Sequence, residues 1–157
     1  MSVLGKGSLF TPKSIPLIEL LPGINNHKTA LPNFQRPWIW EPERVRELIV
    51  SVAYRYPAGS LLTMPVVSNS FALRPFQGSG DKLEDEPNLM VLDGQQRLTS
   101  LYQALYRKEG VEYRGRKFHF YLDIPHLMSD PDGSIDVGEP HFEDALFFVL
   151  QEKDGRR

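Results

Sequence analysis

The chain has 157 residues, of which 41% are hydrophobic and 24% charged. That composition supplies a buried core for one domain spanning residues 1–157 and excludes global disorder. Lys and Arg number 18 against 20 Asp and Glu, a net charge of −2, which argues against a surface coated in positive charge for gripping nucleic-acid backbone and leaves room for a local basic patch. With no cysteine, disulfide scaffolds, thiolate zinc sites and a cysteine nucleophile are excluded within this sequence.

Met1 to Phe10 has no apolar run of signal-peptide length, and no stretch approaches the ~20 apolar residues of a spanning helix. A soluble, cytoplasmic chain with no membrane partner is the expectation. Ser14 to Leu21 is apolar and closed by Pro22-Gly23, which predicts one or two helical turns ending there. Ala30-Leu31-Pro32 reads as a short strand entering a sheet. From Asn33 to Trp40 the sequence NFQRPWIW is extended, because Pro37 forbids helix and biases Arg36 away from the α region.

Pro42 suits the first position of a helix, with Glu41 and Glu43 near its positive end. Val45, Leu48, Ile49, Val52 and Ala53 follow at i, i+3, i+4, i+7 and i+8, an amphipathic stripe that ends at Tyr56-Pro57. Ser60 to Val67 reads as a buried strand and Phe71 to Phe76 as an edge strand. Gln77 to Asn88 is polar and acidic, a surface loop whose acidic run from Asp81 to Glu86 is solvated.

Leu89 to Leu92 is a short buried strand stopped by Asp93-Gly94. The stripe Leu98, Leu101, Tyr102, Leu105 and Tyr106 predicts a helix from Gln95 to Lys108, with Gly110 as terminator. Lys117 to Asp123 alternates as a half-buried strand. Ser129 to Pro140 is loop, and its Asp130-Pro131-Asp132-Gly133 lacks the glycine and glutamate that an EF-hand needs. Phe142 to Leu150 is apolar and either packs back on the core or leads into more protein. The mixed spacing of helices and strands gives an α+β fold class with a mixed sheet.

The segment Leu89 to Leu105, LMVLDGQQRLTSLYQAL, carries the most chemistry. Gly94 lets backbone approach a ligand closely, and the amides at the start of the helix suit phosphate. Arg97 can hold two phosphate oxygens, Gln95 and Gln96 can orient a water or bind sugar and phosphate, and Asp93 can hold a magnesium ion or activate a water. The bland alternative is a turn in which Asp93 is only the helix N-cap. In NFQRPWIW, Trp38 and Trp40 read as core, whereas Arg36 among apolar neighbours calls for an anion, either a carboxylate such as Asp93 or a ligand phosphate. No G-x-x-x-x-G-K-[ST] loop is present, which excludes a P-loop NTPase.

FQRPWIW, PERVRELIVSVAYRYPAGSLL and VLDGQQRLTSLYQAL, followed by KFHFYLD, together resemble the N-terminal domain of GmrSD-type, modification-dependent restriction endonucleases. The resemblance runs from Leu31 to Ala104, with the segments in the order and spacing of that family. It implies a ParB/sulfiredoxin-like fold, a mixed sheet flanked by helices. It also implies a domain that binds and hydrolyses a nucleoside triphosphate, with Mg2+, to regulate a nuclease in defence against foreign DNA. Carried over by position, the DGQQR motif is Asp93, Gly94, Gln95, Gln96 and Arg97, and the other segment supplies Gln35 and Arg36. Asp93, Gln96 and Arg97 are then the catalytic set, with Gln35, Arg36, Gly94, Gln95, Gln96 and Arg97 binding nucleotide. His27, His119, His126 and His141 are scattered without the spacing of an HNH nuclease, so the nuclease is expected in a partner domain or subunit, with DNA reached through it. Lack of cysteine also excludes sulfiredoxin chemistry. The alternative functions are a non-hydrolysing nucleotide- or DNA-binding module of the same defence system, and a structural part that needs its nuclease partner for any activity.

Overall fold

The computed structural model describes residues 11–67, 71–128 and 142–151. The loop at 129–140, with its calcium-like Asp130 to Gly133, and His141 lie outside them.

The first sheet is built from strands β1 (Thr29–Pro32), β2 (Leu62–Pro65), β3 (Leu73–Arg74) and β4 (Leu89–Asp93), in the order β2-β4-β1-β3. β1 and β4 run parallel, with Thr29 opposite Leu89 and Ala30 opposite Met90, while β2 and β3 join antiparallel at the edges. The sheet is therefore mixed. Its two central strands carry the burial: Ala30, Leu31, Met90 and Val91 are fully enclosed. Strands β5 (Val111–Tyr113), β6 (Arg116–Leu122) and β7 (Leu146–Leu150) form a second, antiparallel sheet in the order β5-β6-β7. Together with helices α1 (Leu17–Asn25), α2 (Pro42–Ala53), α3 (Gln95–Leu101), α4 (Ile124–Leu127) and α5 (Phe142–Ala145), this is the α+β architecture that the sequence predicts.

Two apolar clusters meet on α3. Leu101 packs with Trp38, Val45, Leu48, Ile49, Val50, Val111 and Leu146, whereas Leu98 and Tyr102 pack with Leu21, Ile24, Leu31, Phe76 and Val91. A helix clamped on both sides holds even its polar residues inside: Gln95, Gln96, Thr99 and Ser100 are all buried. This rigidity positions everything at its start. Leu146 also shows that the C-terminal apolar segment packs back on the core.

Several elements depart from the sequence reading. α1 runs through Pro22 to Asn25 instead of stopping at Pro22-Gly23. Leu21 and Ile24 are held in the core on its inner face, and the carbonyl that Pro22 leaves without its usual partner belongs to Ile18, a residue 82% exposed. The Ser60 to Val67 strand shrinks to β2 and is largely exposed rather than buried, because it lies at the sheet edge and only Leu61 beside it reaches a core cluster. The long helix after Gly94 changes its winding at Tyr102. Residues Tyr102–Tyr106 form a π-helical turn in which Arg107 N–H donates to Tyr102 O at 3.1 Å, and the helix ends short of Lys108. Gln77 to Asn88 is a surface loop as expected, but it is fastened. Glu84 N–H donates to Nδ1 of buried His27 at 3.0 Å, and the opposite ring nitrogen, Nε2, meets Ser79 O at 2.7 Å.

Candidate functional site

β4 ends at Asp93 and α3 begins at Gln95, so Gly94 alone makes the corner. Its φ of +88° is a left-handed conformation, and a methyl there would collide with the Leu61 side chain. Gly94 itself occupies the N-cap position, and no side chain caps the helix. Asp93 is therefore not the cap. Its carboxylate is 74% exposed and lies 3.6 Å from the Arg97 guanidinium, so Asp93 pairs with Arg97 and not with Arg36.

The two signature segments are stitched together by side-chain amides. Gln35 Nε2 donates to Val91 O at 2.7 Å and Leu92 O at 3.0 Å, pinning the extended segment to β4. Gln96 answers from α3: its Oε1 accepts from Ile39 N–H at 3.0 Å and its Nε2 donates to Pro37 O at 2.9 Å. Trp38 adds a bond from its indole N–H to Ser100 Oγ at 2.9 Å. Arg74 completes the frame by donating to Gln35 O and Arg36 O, and partial burial lowers its guanidinium from the ordinary arginine value.

Arg97 is likewise engaged. One guanidinium nitrogen donates to Ala58 O and the other to Ser60 O, tying the loop between α2 and β2 to the start of α3. Gly59, between those carbonyls, has φ +87°, and a methyl on it would overlap the Arg97 guanidinium. Gln95 differs from its neighbours. It is only 7% exposed, yet its side chain's one hydrogen bond among the described residues is a long one, accepted from Gln96 Nε2 at 3.4 Å.

These residues line a cavity of about 320 Å3, within the size range of small-ligand clefts. It brings together Gln35, Arg36, Asp93, Gly94, Gln95, Gln96 and Arg97, every site residue that the sequence singles out. Trp40 and Arg44 also line it, neither singled out as a site residue by the sequence; Trp40 packs against a core cluster as expected and reaches the cavity as well. The Arg44 guanidinium sits 4.5 Å from the centroid of the Trp40 ring. Their signal in the sequence is the i, i+4 spacing across the start of α2, which sets an arginine beside an aromatic. Among the described residues, neither Arg36 nor Arg44 pairs with a carboxylate, and both are exposed, so Arg36 is solvated rather than held among apolar neighbours as its sequence context suggests. Three arginines against the single carboxylate of Asp93 make the lining cationic. A second cavity, about 280 Å3, lies beside Tyr106 and Arg107 and contains none of these residues.

No group of three or more His, Asp or Glu among the described residues is arranged to hold a metal ion. Asp93 is the sole carboxylate lining the larger cavity, so a magnesium ion there would draw its remaining ligands from water and phosphate, which is how that ion is commonly held.

A family model for the GmrSD restriction endonuclease, N-terminal domain, matches residues 17–150. The chain belongs to that family. An uncharacterized protein of Methanocaldococcus jannaschii is 29% identical to it over 121 residues, covering 73% of this chain. The match takes up 21% of the archaeal protein, so the chain spans only a small part of that relative's length. No helix among the described residues is long and apolar enough to cross a membrane.

Proposed function

We propose that the GmrSD-type domain binds a nucleoside triphosphate with Mg2+ in the cavity at the start of α3, and hydrolyses it to control a nuclease that attacks modified foreign DNA. The observation that carries this reading is the charge of the lining. Arg36 and Arg44 are exposed and, among the described residues, pair with no carboxylate, so their charge is available to a polyanion of three phosphates. Gly94, whose left-handed φ makes the corner between β4 and α3, sets the start of α3 in the lining of the cavity. Bound magnesium would neutralise developing charge on the phosphate oxygens. Asp93, exposed and the sole carboxylate lining the cavity among the described residues, is the residue able to hold that ion or orient a water. Gln96 and Arg97, proposed as catalytic on the family motif, have their hydrogen bonds directed at backbone carbonyls and an amide, and act first by positioning.

The nuclease itself belongs to a partner domain or subunit, which also brings the DNA, in the cytoplasm. A second reading, a domain that senses nucleotide or DNA without hydrolysis, draws on the same commitment of Gln96 and Arg97 to structure. Calorimetry with each nucleoside triphosphate, beside phosphate release with and without magnesium, tests both. Binding with magnesium-dependent release supports hydrolysis. Binding with no release favours the sensor, and no binding removes the nucleotide altogether.

A further inference from the structure

The phosphates account for the cationic and acidic lining of the cavity and leave its apolar part unused. Trp40 and Leu92 supply that part, and Trp40 is the one aromatic side chain in the lining among the described residues. The two tryptophans have different duties. Trp38 is enclosed and spends its indole N–H on Ser100, whereas Trp40 is half-buried, touching the core cluster and the cavity together. The Gln96 amide, by holding Pro37 O and Ile39 N–H, sets the chain so that Trp40 follows directly at the rim. Arg44 then lays a planar cation over the indole, 4.5 Å from the ring centroid.

A bound nucleotide has a charged end and a flat, weakly polar end. The charged end is served by arginines, which leaves the flat end needing a surface that excludes water without demanding a particular edge. Resting on the nucleotide reading of this cavity, we propose that Trp40 and Arg44 form the platform on which the nucleobase stacks. Indole and guanidinium faces both stack on bases, because every base presents a π surface. Gln95, a buried amide in the same lining, accepts one long bond, 3.4 Å from Gln96 Nε2, among the described residues, which leaves its amide group capacity for a polar edge of the ligand.

The test compares ATP, GTP, CTP and UTP with inorganic tripolyphosphate, which has the charge but no base. Trp40→Leu should weaken binding of the nucleotides about tenfold, the scale of one lost base stack, and leave tripolyphosphate binding unchanged. Trp40→Phe, which keeps a ring, should bind nucleotides close to the wild-type level. Nucleotides, but not tripolyphosphate, should quench wild-type tryptophan emission, and the quenching should vanish in Trp40→Phe. That fluorescence comparison decides the matter even if Trp40→Leu fails to fold. Equal weakening for both ligand types, no weakening, or emission that ignores saturating nucleotide overturns the platform alone. If the wild-type chain binds neither ligand, the nucleotide reading falls and the platform with it.

Discussion

Arg97 closes over Gly59, and the two are matched: the glycine's left-handed backbone and missing side chain are what let the guanidinium reach Ala58 O and Ser60 O on either side of it. Gly59→Ala therefore adds backbone strain and displaces a charged hydrogen-bonding group together. A loss of about 1–3 kcal/mol is expected, read as a lower urea midpoint. Arg97→Ala should destabilise by a similar amount, because it removes the same link from the other side. A nucleotide affinity that falls in Arg97→Ala but survives in Gly59→Ala would assign Arg97 a direct ligand contact as well.

Gln96 is a bracket with a defined polarity, accepting from Ile39 N–H and donating to Pro37 O. Gln96→Glu keeps the shape and the acceptor but turns the donor into an oxygen facing Pro37 O. The Pro37 carbonyl then loses its partner and meets a negative group, so a loss of about 1–3 kcal/mol is expected by denaturant unfolding. Any fall in activity should be accompanied by that loss of stability. A Gln96→Glu protein of wild-type stability with no turnover would instead mark Gln96 as a group that acts on the nucleotide.

His27 fastens the acidic loop through both ring nitrogens. Since Nδ1 accepts from Glu84 N–H, the ring proton sits on Nε2 and is donated to Ser79 O. His27→Ala removes both ties and leaves the middle of the loop to Lys28–Asp85, at 3.0 Å between half-exposed side chains, while Ser79 stays bonded to Phe76 O and Asn88 N–H to Lys28 O at its two ends. Hydrogen exchange at the Glu84 amide should quicken, and proteolytic nicking between Gln77 and Asn88 should rise, with the central sheet unaffected. An unchanged exchange rate at Glu84 would show that the loop is held by something other than this ring.

Where one face of an element meets the core, the sequence shows it plainly. α2 announces itself through Val45, Leu48 and Ile49, and β4 through its apolar run ending at Asp93. Lateral position in a sheet leaves no such trace: β2 has the composition of a buried strand, yet it pairs only with β4 and stays exposed. Winding is equally silent. Leu105 and Tyr106 continue a helical stripe in the sequence, but the π-helical turn at Tyr102–Tyr106 leaves both substantially exposed. The site residues were legible as a group because two polar motifs interrupt apolar segments. Their bonding was not, because a glutamine's type does not say which carbonyl it will reach. Gln35 reaches β4 and Gln96 reaches the Pro37 segment only because parallel β1 and β4 bring the two motifs to one end of the sheet.

Asp93 separates the chemical reading from the structural one most cleanly. Gly94 holds the N-cap position without a side-chain bond, so Asp93→Asn removes no cap. The carboxylate is 74% exposed and its contact with Arg97 is long, so the substitution should change stability by no more than about 1 kcal/mol. On the proposed nucleotide reading, affinity in the absence of magnesium should hold or rise slightly, since one negative charge leaves a lining rich in arginine. Turnover should nevertheless fall by about two orders of magnitude or more, because asparagine is a poor magnesium ligand and no base. Phosphate release and calorimetry on the same preparation, with and without magnesium, read the two quantities apart. Hydrolysis that persists in Asp93→Asn at the wild-type rate would take Asp93 out of the chemical step, and with it the only exposed carboxylate in the cavity that the mechanism can use.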